Sequence, residues 1–281
     1  MSVWFITGAS RGLGAEILRE AIDHGHQVVA AVRNPDAIAA LYADAGNRLL
    51  AVQVDVTNEE QIQAAVETTV ERFGRIDVLV NNAGRGLLSA VEEASDAAAR
   101  LVFDTNVFGV LNVNRAVLPV MRAQRSGHVF NISSVGGFAQ SAGWGIYGAT
   151  KFALEGFSEA MHAELAPVGI KVTIVEPGYF RTDFLDSSSL HTESNIIEDY
   201  SETSGKMRSY AGKMNHNQPG DPVKAAQAIL KVAREQEPPL RLQLGSDCIS
   251  RVEAKLHYVQ NELNQWRELA LSTDYGDAQV G

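Results

Sequence analysis

The amino-acid sequence predicts an α/β fold: a Rossmann-like, doubly wound parallel sheet in three layers, α/β/α. Two observations lead to this prediction. Over about the first 180 residues, short apolar runs of strand length alternate with longer helical patterns. Each run is continuously apolar, as expected for strands that are covered on both faces. Strict alternation of strands and helices requires parallel pairing through right-handed crossovers.

The predicted elements follow one another at regular intervals. The strands are residues 3–7, 27–32, 49–55, 78–81, 128–132 and 171–175, with a final strand at 241–244. The helices between them are residues 15–24, 59–73, 94–122 with a break, and 147–166. Because no linker or repeat interrupts this order, we expect residues 1–281 to form a single nucleotide-binding domain.

Two segments depart from the alternation. Residues 186–220 are polar with scattered large apolar side chains, which is typical of a substrate lid or of a poorly ordered loop. Residues 249–272 carry one apolar stripe with spacings of three and four, which predicts a C-terminal helix. We expect that helix to dock on its own domain; a dimerisation coil is the alternative. The members of the stripe are Ile249, Val252, Leu256, Val259, Leu263, Trp266 and Leu269.

Composition excludes several classes of protein. The net charge of −10 argues against nucleic acid and against anionic membranes as partners. The single cysteine, Cys248, cannot form an internal disulfide, fits a cytoplasmic location and is expected to be a small apolar filler. We see no signal sequence and no run of about 20 apolar residues that a membrane span needs. No metal site is predicted.

The segment TGASRGLG lies directly after the first strand and opens the first helix. Glycines at 8, 12 and 14 let the chain turn sharply and let its backbone approach a pyrophosphate without a Cβ in the way. The helix that follows directs free N–H groups and the positive end of its dipole at the phosphates. The segment therefore predicts a dinucleotide site, although a glycine-rich turn by itself is a weak signal.

The end of the second strand indicates which nicotinamide cofactor fits. The run VVAAVRNP has no acidic residue that would hydrogen-bond the ribose hydroxyls of NAD, and it has a cation at Arg33. Arg11, in the glycine loop, can reach the same space, and two guanidinium groups suit a phosphate. The sequence therefore favours NADP(H), with NAD(H) as the alternative. The alternative for Arg33 itself is a solvated surface residue.

Two further strand ends carry polar residues. Asp55 is placed to accept a hydrogen bond from the adenine amino group, with Val56 beside the ring; a helix N-cap is its alternative role. In NNAG, the small residues after Asn82 let the backbone lie against the cofactor, while an asparagine can tie neighbouring strands. The tetrapeptide is also compatible with a simple turn.

Tyr147 and Lys151 are four residues apart on a predicted helix and so share one face. A phenol has a pKa near 10, and an adjacent ammonium, together with the positively charged oxidised nicotinamide, is expected to lower it toward the range that an acid/base catalyst needs. Ser134, at the end of the fifth strand, is expected to hold the substrate oxygen, whereas Ser133 is expected to cap or pack. Asn106 lies within a helical stretch. Its side chain is expected either to hold a water that relays protons toward Lys151 or to be an ordinary buried amide bonded to the backbone.

With these residues assembled, the sequence closely resembles the short-chain dehydrogenase/reductase family in its compact single-domain form. The motifs TGASRGLG, Asp55-Val56, NNAG, YGATK and PGYFRT follow in the family's order over about residues 1–185. The resemblance implies a catalytic tetrad of Asn106, Ser134, Tyr147 and Lys151. It also implies cofactor contacts from Gly8, Ser10, Arg11, Gly12, Leu13, Gly14, Arg33, Asp55, Val56, Asn82, Ala83, Gly84, Tyr147, Lys151, Pro177, Gly178, Phe180 and Thr182.

The expected activity is hydride transfer between NADP(H) and a carbonyl compound or secondary alcohol, with Tyr147 as acid/base. The substrate is a small molecule, and a hydrophobic one is weakly indicated; Phe138, Trp144 and Tyr179 are candidate pocket walls. The alternatives are an NADPH-binding sensor without turnover and a non-redox enzyme of this fold, an epimerase or dehalogenase. The resemblance also implies a homodimer or homotetramer formed through the helices predicted at 94–122 and 147–166.

Overall fold

The computed structural model describes residues 1–275 and contains the predicted parallel sheet. Seven strands pair in the order β3-β2-β1-β4-β6-β7-β9, and all of these pairings are parallel. The strands are β1 Val3–Thr7, β2 Gln27–Val32, β3 Leu49–Gln53, β4 Val78–Asn81, β5 Gly86–Leu88, β6 Gly127–Ile132, β7 Ile170–Pro177, β8 Leu190–Thr192 and β9 Arg241–Leu244. Short β5 and β8 form a separate parallel pair, which the sequence did not predict.

Helices cover both faces of the sheet, as predicted. They are α1 Gly12–Asp23, α2 Pro35–Leu41, α3 Glu59–Phe73, α4 Asp96–Phe103, α5 Gly109–Gln124, α6 Gly145–Leu165, α7 Lys206–Met214, α8 Pro222–Val232 and α9 Ser246–Leu271. Alternate residues of β1 enter opposite cores. Trp4 packs in the core of α1 and α8, and Phe5 packs in the core of α3, α5 and α6. The three-layer, doubly wound architecture is confirmed.

The chain order places the polar loops of the sheet at one edge. From β1, the strands run outward through β2 and β3 on one side and through β4, β6, β7 and β9 on the other. The carboxyl ends of β1 and β4 therefore flank the point where the winding changes direction, which is where sheets of this kind bind ligands. Thr7 ends β1 and Asn81 ends β4, so both motifs that follow them open at this edge.

The predicted break in the helix at 94–122 is a wide π-helical turn. α4 and α5 are joined by Asp104–Phe108, in which the N–H of Gly109 bonds to the carbonyl oxygen of Asp104. Asn106, fully buried at the centre of this turn, directs its amide away from the helix to the backbone of Arg85. The polar residue within the helical pattern thus marks a real irregularity.

The segment 186–220 is structured and is tied to the body of the protein. It contains β8, a π-helical turn at Ser201–Gly205 and α7. The buried carboxylate of Glu93 accepts hydrogen bonds from the backbone N–H of Ala90 at 2.8 Å and of Ile197 at 2.9 Å. It also pairs with Arg208 at 2.7 Å. These bonds hold the pKa of Glu93 below its usual value although burial opposes them.

The expectation that the C-terminal helix docks on its own domain is wrong for most of α9. Cys248 and Val252 are buried against Val135 and Phe138, but every apolar residue of the stripe beyond Val252 is exposed. Periodicity identifies the apolar face of a helix, not what covers that face. Cys248 is buried as predicted, and its thiol donates to the carbonyl oxygen of Glu176. No helix within residues 1–275 has the length and apolar character to cross a membrane.

Candidate active site

A cavity of about 430 Å³ lies at the carboxyl edge of the sheet. Its walls come from the loop after β1, from the ends of β2, β4, β6 and β7, and from the segment that follows β7. Most of the predicted site residues line it: Gly8, Ser10, Arg11, Gly12, Leu13, Arg33, Asp55, Val56, Asn82, Ala83, Gly84, Ser134, Tyr147, Lys151, Pro177, Gly178, Phe180 and Thr182. The sheet thus brings together residues that lie up to 174 positions apart in sequence.

Two predicted residues, Gly14 and Asn106, support the cavity from behind its wall. A Cβ on Gly14 would lie 2.3 Å from the side-chain nitrogen of Asn82 and 2.5 Å from the carbonyl oxygen of Gly8, so only glycine fits there. A Cβ on Gly84 would lie 3.3 Å from Asn106 Oδ1 and 3.8 Å from Lys151 Nζ. Both side chains therefore approach Gly84: Asn106 lies behind the cavity wall, and Lys151 is part of that wall.

The glycine loop is held open by the residues after β4. Asn82 Nδ2 donates to the carbonyl oxygens of Thr7 and Gly8, both at 3.0 Å. The Thr7 hydroxyl in turn accepts from the backbone N–H of Asn82 and Ala83, also at 3.0 Å. Gly12 has a φ of +56°, a conformation that L side chains rarely adopt. NNAG is thus a structural brace for the cradle, in addition to forming part of its wall.

The two arginines predicted to meet a phosphate have different surroundings. The guanidinium of Arg11 donates to the carbonyl oxygen of Ser188 at 2.9 Å and to the hydroxyl of Ser189 at 2.8 Å. Arg33 is exposed, lines the cavity and makes no side-chain hydrogen bond within the described residues. Both arginines line the cavity, but Arg11 bridges the glycine loop to the segment 186–220, whereas Arg33 is the arginine with free donors. That both guanidinium groups meet one phosphate stays a prediction.

Asp55 lies in the loop after β3, since that strand ends at Gln53 and not at 55 as predicted. Its carboxylate accepts from the backbone N–H and the hydroxyl of Thr57, which lowers the pKa of Asp55, and the nearby Arg33 lowers it further. The N-cap of α3 is Asn58, whose side chain accepts from the N–H of Gln61. The alternative role of Asp55 as the helix N-cap is therefore wrong.

Tyr147 stands in an aromatic environment at the start of α6. The rings of Trp144 and Phe184 lie on either side, each with its centroid 5.6 Å from that of Tyr147. Tyr147 is 7% exposed, and this burial raises its pKa above the usual value, with a hydrogen bond to Ser134 acting in the opposite direction. In the protein alone, desolvation of the phenolate is the larger effect on this pKa, and the combined effect of Lys151 and an oxidised nicotinamide stays a prediction.

Lys151 lies one helical turn after Tyr147, as the spacing predicts. Its ammonium is 5.7 Å from the centroid of the Tyr147 ring and donates a 2.8 Å hydrogen bond to the carbonyl oxygen of Ile132. Burial lowers the pKa of Lys151 to about 8, and the Glu155 carboxylate opposes that shift. Lys151 therefore remains largely charged at neutral pH.

Ser134 and Asn106 complete the polar group around Tyr147. Ser134 begins the short 3-10 turn after β6, and its hydroxyl accepts from the N–H of Gly136 at 3.1 Å. Asn106 accepts from the N–H of Arg85 and donates to its carbonyl oxygen, both at 2.9 Å, and also donates to the Thr150 hydroxyl at 3.1 Å. Asn106 thus braces the strand end against the helix that carries Tyr147.

Several polar residues of the cavity wall were not predicted, among them Arg85, Gln140, Gln218 and Arg251. Gln218 is 1% exposed, its amide nitrogen donates to the carbonyl oxygen of Thr182, and its Oε1 has no partner among residues 1–275. Arg251 reaches the cavity from α9 and donates to the Ser141 hydroxyl. Trp144 and Tyr179 line the cavity as predicted, whereas Phe138 packs with Val135, Cys248 and Val252 outside it.

Comparison with known proteins agrees with this architecture. The family model described as "short chain dehydrogenase" matches residues 2–193. The chain is 39% identical over 274 residues to "Oxidoreductase BOA17" of Botryotinia fuckeliana, covering 96% of this chain and 98% of that protein. It is 38% identical over 240 residues to a 3-ketodihydrosphingosine reductase of Bacteroides thetaiotaomicron, covering 85% and 86%.

Solved structures give the same result. A short-chain dehydrogenase from Streptomyces avermitilis superposes with a TM-score of 0.90 at 40% identity, covering 98% of this chain and all of that one. A serine dehydrogenase complexed with NADP+ superposes with a TM-score of 0.74 at 26% identity, covering 99% of each chain. The fold, the match to the family model and these relatives together show that the chain belongs to the short-chain dehydrogenase/reductase family of NAD(P)-binding oxidoreductases.

Proposed function

We propose that the protein is an NADP(H)-dependent reductase of hydrophobic carbonyl compounds, with Tyr147 as the proton donor. The observation that carries this proposal is the position of Tyr147. Its ring lines the same cavity as the glycine loop, between two aromatic rings and beside Ser134 and Lys151. A cofactor held by the loop and a substrate held against the aromatic rings would therefore meet at the phenol.

The protonation states of these residues suit reduction. Because burial raises the pKa of Tyr147, the side chain is a phenol at neutral pH, the form that can donate a proton. NADPH supplies the hydride to the carbonyl carbon. In the proposed reaction, Tyr147 then gives its proton to the carbonyl oxygen, Ser134 orients that oxygen, and the charge on Lys151 stabilises the phenolate that remains.

The residues of the cavity fit a nicotinamide dinucleotide. The loop with Gly12 at positive φ offers its backbone to the pyrophosphate, and the N-terminus of α1 adds its dipole. Lys151 would hold the nicotinamide ribose and Phe180 and Thr182 the carboxamide. Arg33, which has free donors at the end of β2, supports NADP(H) over NAD(H), since the 2′-phosphate is the group that distinguishes the two cofactors.

The wall around Tyr147 supports an apolar substrate. Leu88, Trp144, Leu190 and Ala211 form one buried cluster with Tyr147, and Phe184, Leu185 and Met207 pack against it. Of these, Trp144, Phe184 and Leu185 line the cavity beside Tyr147, and the others support them from behind. Several of these residues come from the segment after β7, which supports its proposed role as the substrate lid. The similarity to a 3-ketodihydrosphingosine reductase points the same way, because that name denotes a ketone on a long alkyl chain.

The test is NADPH oxidation, followed at 340 nm, with a panel of apolar ketones and aldehydes. We expect turnover that falls by about 10²- to 10⁴-fold in Tyr147→Phe, the usual contribution of general acid catalysis. NADPH affinity, measured by fluorescence titration, should change little. Tyr210→Phe is the matched control, because Tyr210 does not line the cavity, and it should keep wild-type turnover. Tight NADPH binding without turnover on any carbonyl would instead favour a sensor.

A further inference from the structure

The part of α9 beyond Val252 carries apolar side chains that the rest of the described chain does not cover. Leu256, Val259, Leu263 and Trp266 are 55%, 46%, 50% and 56% exposed. From Glu253 onward, the side-chain hydrogen bonds found within residues 1–275 all stay inside the helix or its C-terminal turn. About five turns of helix therefore expose one continuous apolar stripe.

This stripe has the spacing of a coiled-coil seam. From Ile249 to Trp266 its members alternate at intervals of three and four residues: Ile249, Val252, Leu256, Val259, Leu263 and Trp266. Ala270 continues this spacing, and Leu269 lies beside it. A strict 3.5-residue repeat is the pattern of a helix that packs against another helix, whereas a helix covered by its own domain shows a broader stripe. Most helical stability in proteins comes from packing of an apolar face, so a partner on the seam would stabilise this part of α9.

We propose that α9 pairs antiparallel with α9 of a second copy of this chain. The direction follows from Val252, which belongs to the seam but is buried against Val135 and Cys248 of its own body. At that end, the body occupies the seam side of the helix. A parallel partner would bring a second body into the same space, whereas an antiparallel partner places the two bodies at opposite ends. The resulting interface is isologous, as in most dimers.

The charges on one flank of the seam match this arrangement, whereas on the other flank Glu262 would face Glu262 of the second copy. The uncovered seam runs from Leu256 to Trp266, so a two-fold axis at its midpoint sets Leu256 of one copy opposite Trp266 of the other. On one flank of the seam, Glu253 of one copy then lies two positions from the level of Arg267 of the other, and the two-fold axis repeats this pair. Both side chains are exposed and form no ion pair within the described residues. Opposite charges beside a seam are the usual determinants of partner and direction in coiled coils.

The charge of this segment argues against a membrane surface as the occupant. Residues 253–271 contain three acidic residues and two basic ones, Lys255 and Arg267. Helices that lie on anionic membranes are instead rich in lysine and arginine on their polar face. A partner with a complementary seam is therefore favoured, and the second copy carries such a seam.

The experiment is sedimentation equilibrium of the full chain. We expect Leu256→Glu/Leu263→Glu to lower the assembly mass by half, while NADPH affinity and the melting temperature of the body stay unchanged. Ala254→Glu/Asn261→Glu places the same two charges, with the same spacing, on the opposite side of α9 and is the matched control; it should leave the mass unchanged. A monomeric wild-type chain would overturn the proposal, as would an unchanged mass in the double variant.

A charge exchange tests the direction of pairing. Glu253→Arg and Arg267→Glu should each weaken self-association, measured as a rise of at least threefold in the dissociation constant. The double exchange should restore the wild-type constant. Additive losses in the double variant would exclude the antiparallel register. Co-sedimentation with phosphatidylcholine or phosphatidylglycerol vesicles tests a lipid surface as the occupant. If binding to vesicles depends on Leu256 and Leu263 but the assembly mass does not, a lipid surface covers the seam and the proposed pairing with a second copy is wrong.

Discussion

The ammonium of Lys151 donates a 2.8 Å hydrogen bond to the carbonyl oxygen of Ile132, the last residue of β6 and two positions before Ser134. Helix α6 and the sheet edge are thereby joined through a charged, buried group. The same strand end carries Ser134, so this bond fixes the distance between Lys151 and Ser134. Lys151 is proposed to stabilise the phenolate, and Ser134 is proposed to orient the substrate. Loss of the ammonium is expected to affect both.

We predict that NADPH affinity depends on the charge of Lys151. Since burial lowers the pKa of Lys151 to about 8, the ammonium is lost as the pH rises through that value. Wild-type affinity should therefore fall between pH 7 and 10. Lys151→Met should bind NADPH more weakly at pH 7, by about tenfold or more as expected for a charged hydrogen bond, and should show a flat profile. Fluorescence titration at each pH is the measurement; wild-type affinity in Lys151→Met would contradict the prediction.

Arg33 is predicted to set the choice between the two nicotinamide cofactors. Arg33→Asp places a carboxylate where the 2′-phosphate is expected, which should weaken NADPH binding by about 10- to 100-fold and improve NADH binding. Arg122→Asp makes the same charge change at an exposed site outside the cavity and serves as the control. The readout is the ratio of kcat/KM for the two cofactors. A wild-type enzyme that prefers NADH would show that Arg33 is a surface residue without this role.

The same substitution at two glycines should have opposite effects. Gly14→Ala would place a Cβ 2.3 Å from Asn82 and 2.5 Å from the carbonyl oxygen of Gly8, so we expect a loss of about 1–3 kcal/mol in the free energy of unfolding, with weaker NADPH binding. A Cβ on Gly156, inside α6, meets nothing within 4 Å, so Gly156→Ala should stabilise the protein by about 0.5–1 kcal/mol. Denaturant unfolding measures both; equal effects would contradict the prediction.

Glu176 is predicted to make stability depend on pH. Burial and the Glu155 carboxylate raise its pKa to about 7, while Gln243 and Arg241 oppose the rise. An unfolded glutamate has a pKa of about 4.3, so the folded state binds this proton more tightly. The associated stabilisation is present below about pH 4 and is lost as the pH rises through about 7.

The melting temperature of the wild-type chain should therefore fall more steeply between pH 5 and 8 than that of Glu176→Gln, which cannot ionise. Glu159→Gln is the control, because Glu159 pairs with the same Arg241 but is about half exposed. Thermal unfolding monitored by circular dichroism at intervals of half a pH unit gives the comparison. Parallel curves for wild type and Glu176→Gln would show that the buried carboxyl titrates as in the unfolded chain.

The fold and the polar lining of the cavity could be predicted because the signals are local. Each motif follows a strand directly, and parallel strands deliver their carboxyl ends to one edge, so Thr7, Asn82 and Ser134 meet without any knowledge of distant contacts. The spacing of Tyr147 and Lys151 likewise fixes their neighbourhood within one helix. The polar residue Asn106, within an otherwise helical pattern, also indicated an irregularity where the π-helical turn lies.

What could not be predicted depends on contacts between distant segments. Arg11 bonds to Ser188 and Ser189, which lie 177 and 178 residues away, and no local pattern connects them. Three-residue strands such as β5 and β8 carry too few side chains for a periodic signal. The spacing of Tyr147 and Lys151 reveals a neighbouring charge but not the extent of burial, which raises the pKa of Tyr147 in the protein alone.

The π-helical turn at Asp104–Phe108 makes the length of this stretch as important as its composition. A π-helical turn is equivalent to one residue inserted into an α-helix, and each residue rotates a helix by about 100°. Deleting a single residue there would restore a regular helix but would rotate Asn106 relative to Arg85 and Thr150, or all of α5 relative to the sheet. Related sequences should therefore vary freely at the exposed Phe108, yet tolerate neither insertions nor deletions within residues 104–108.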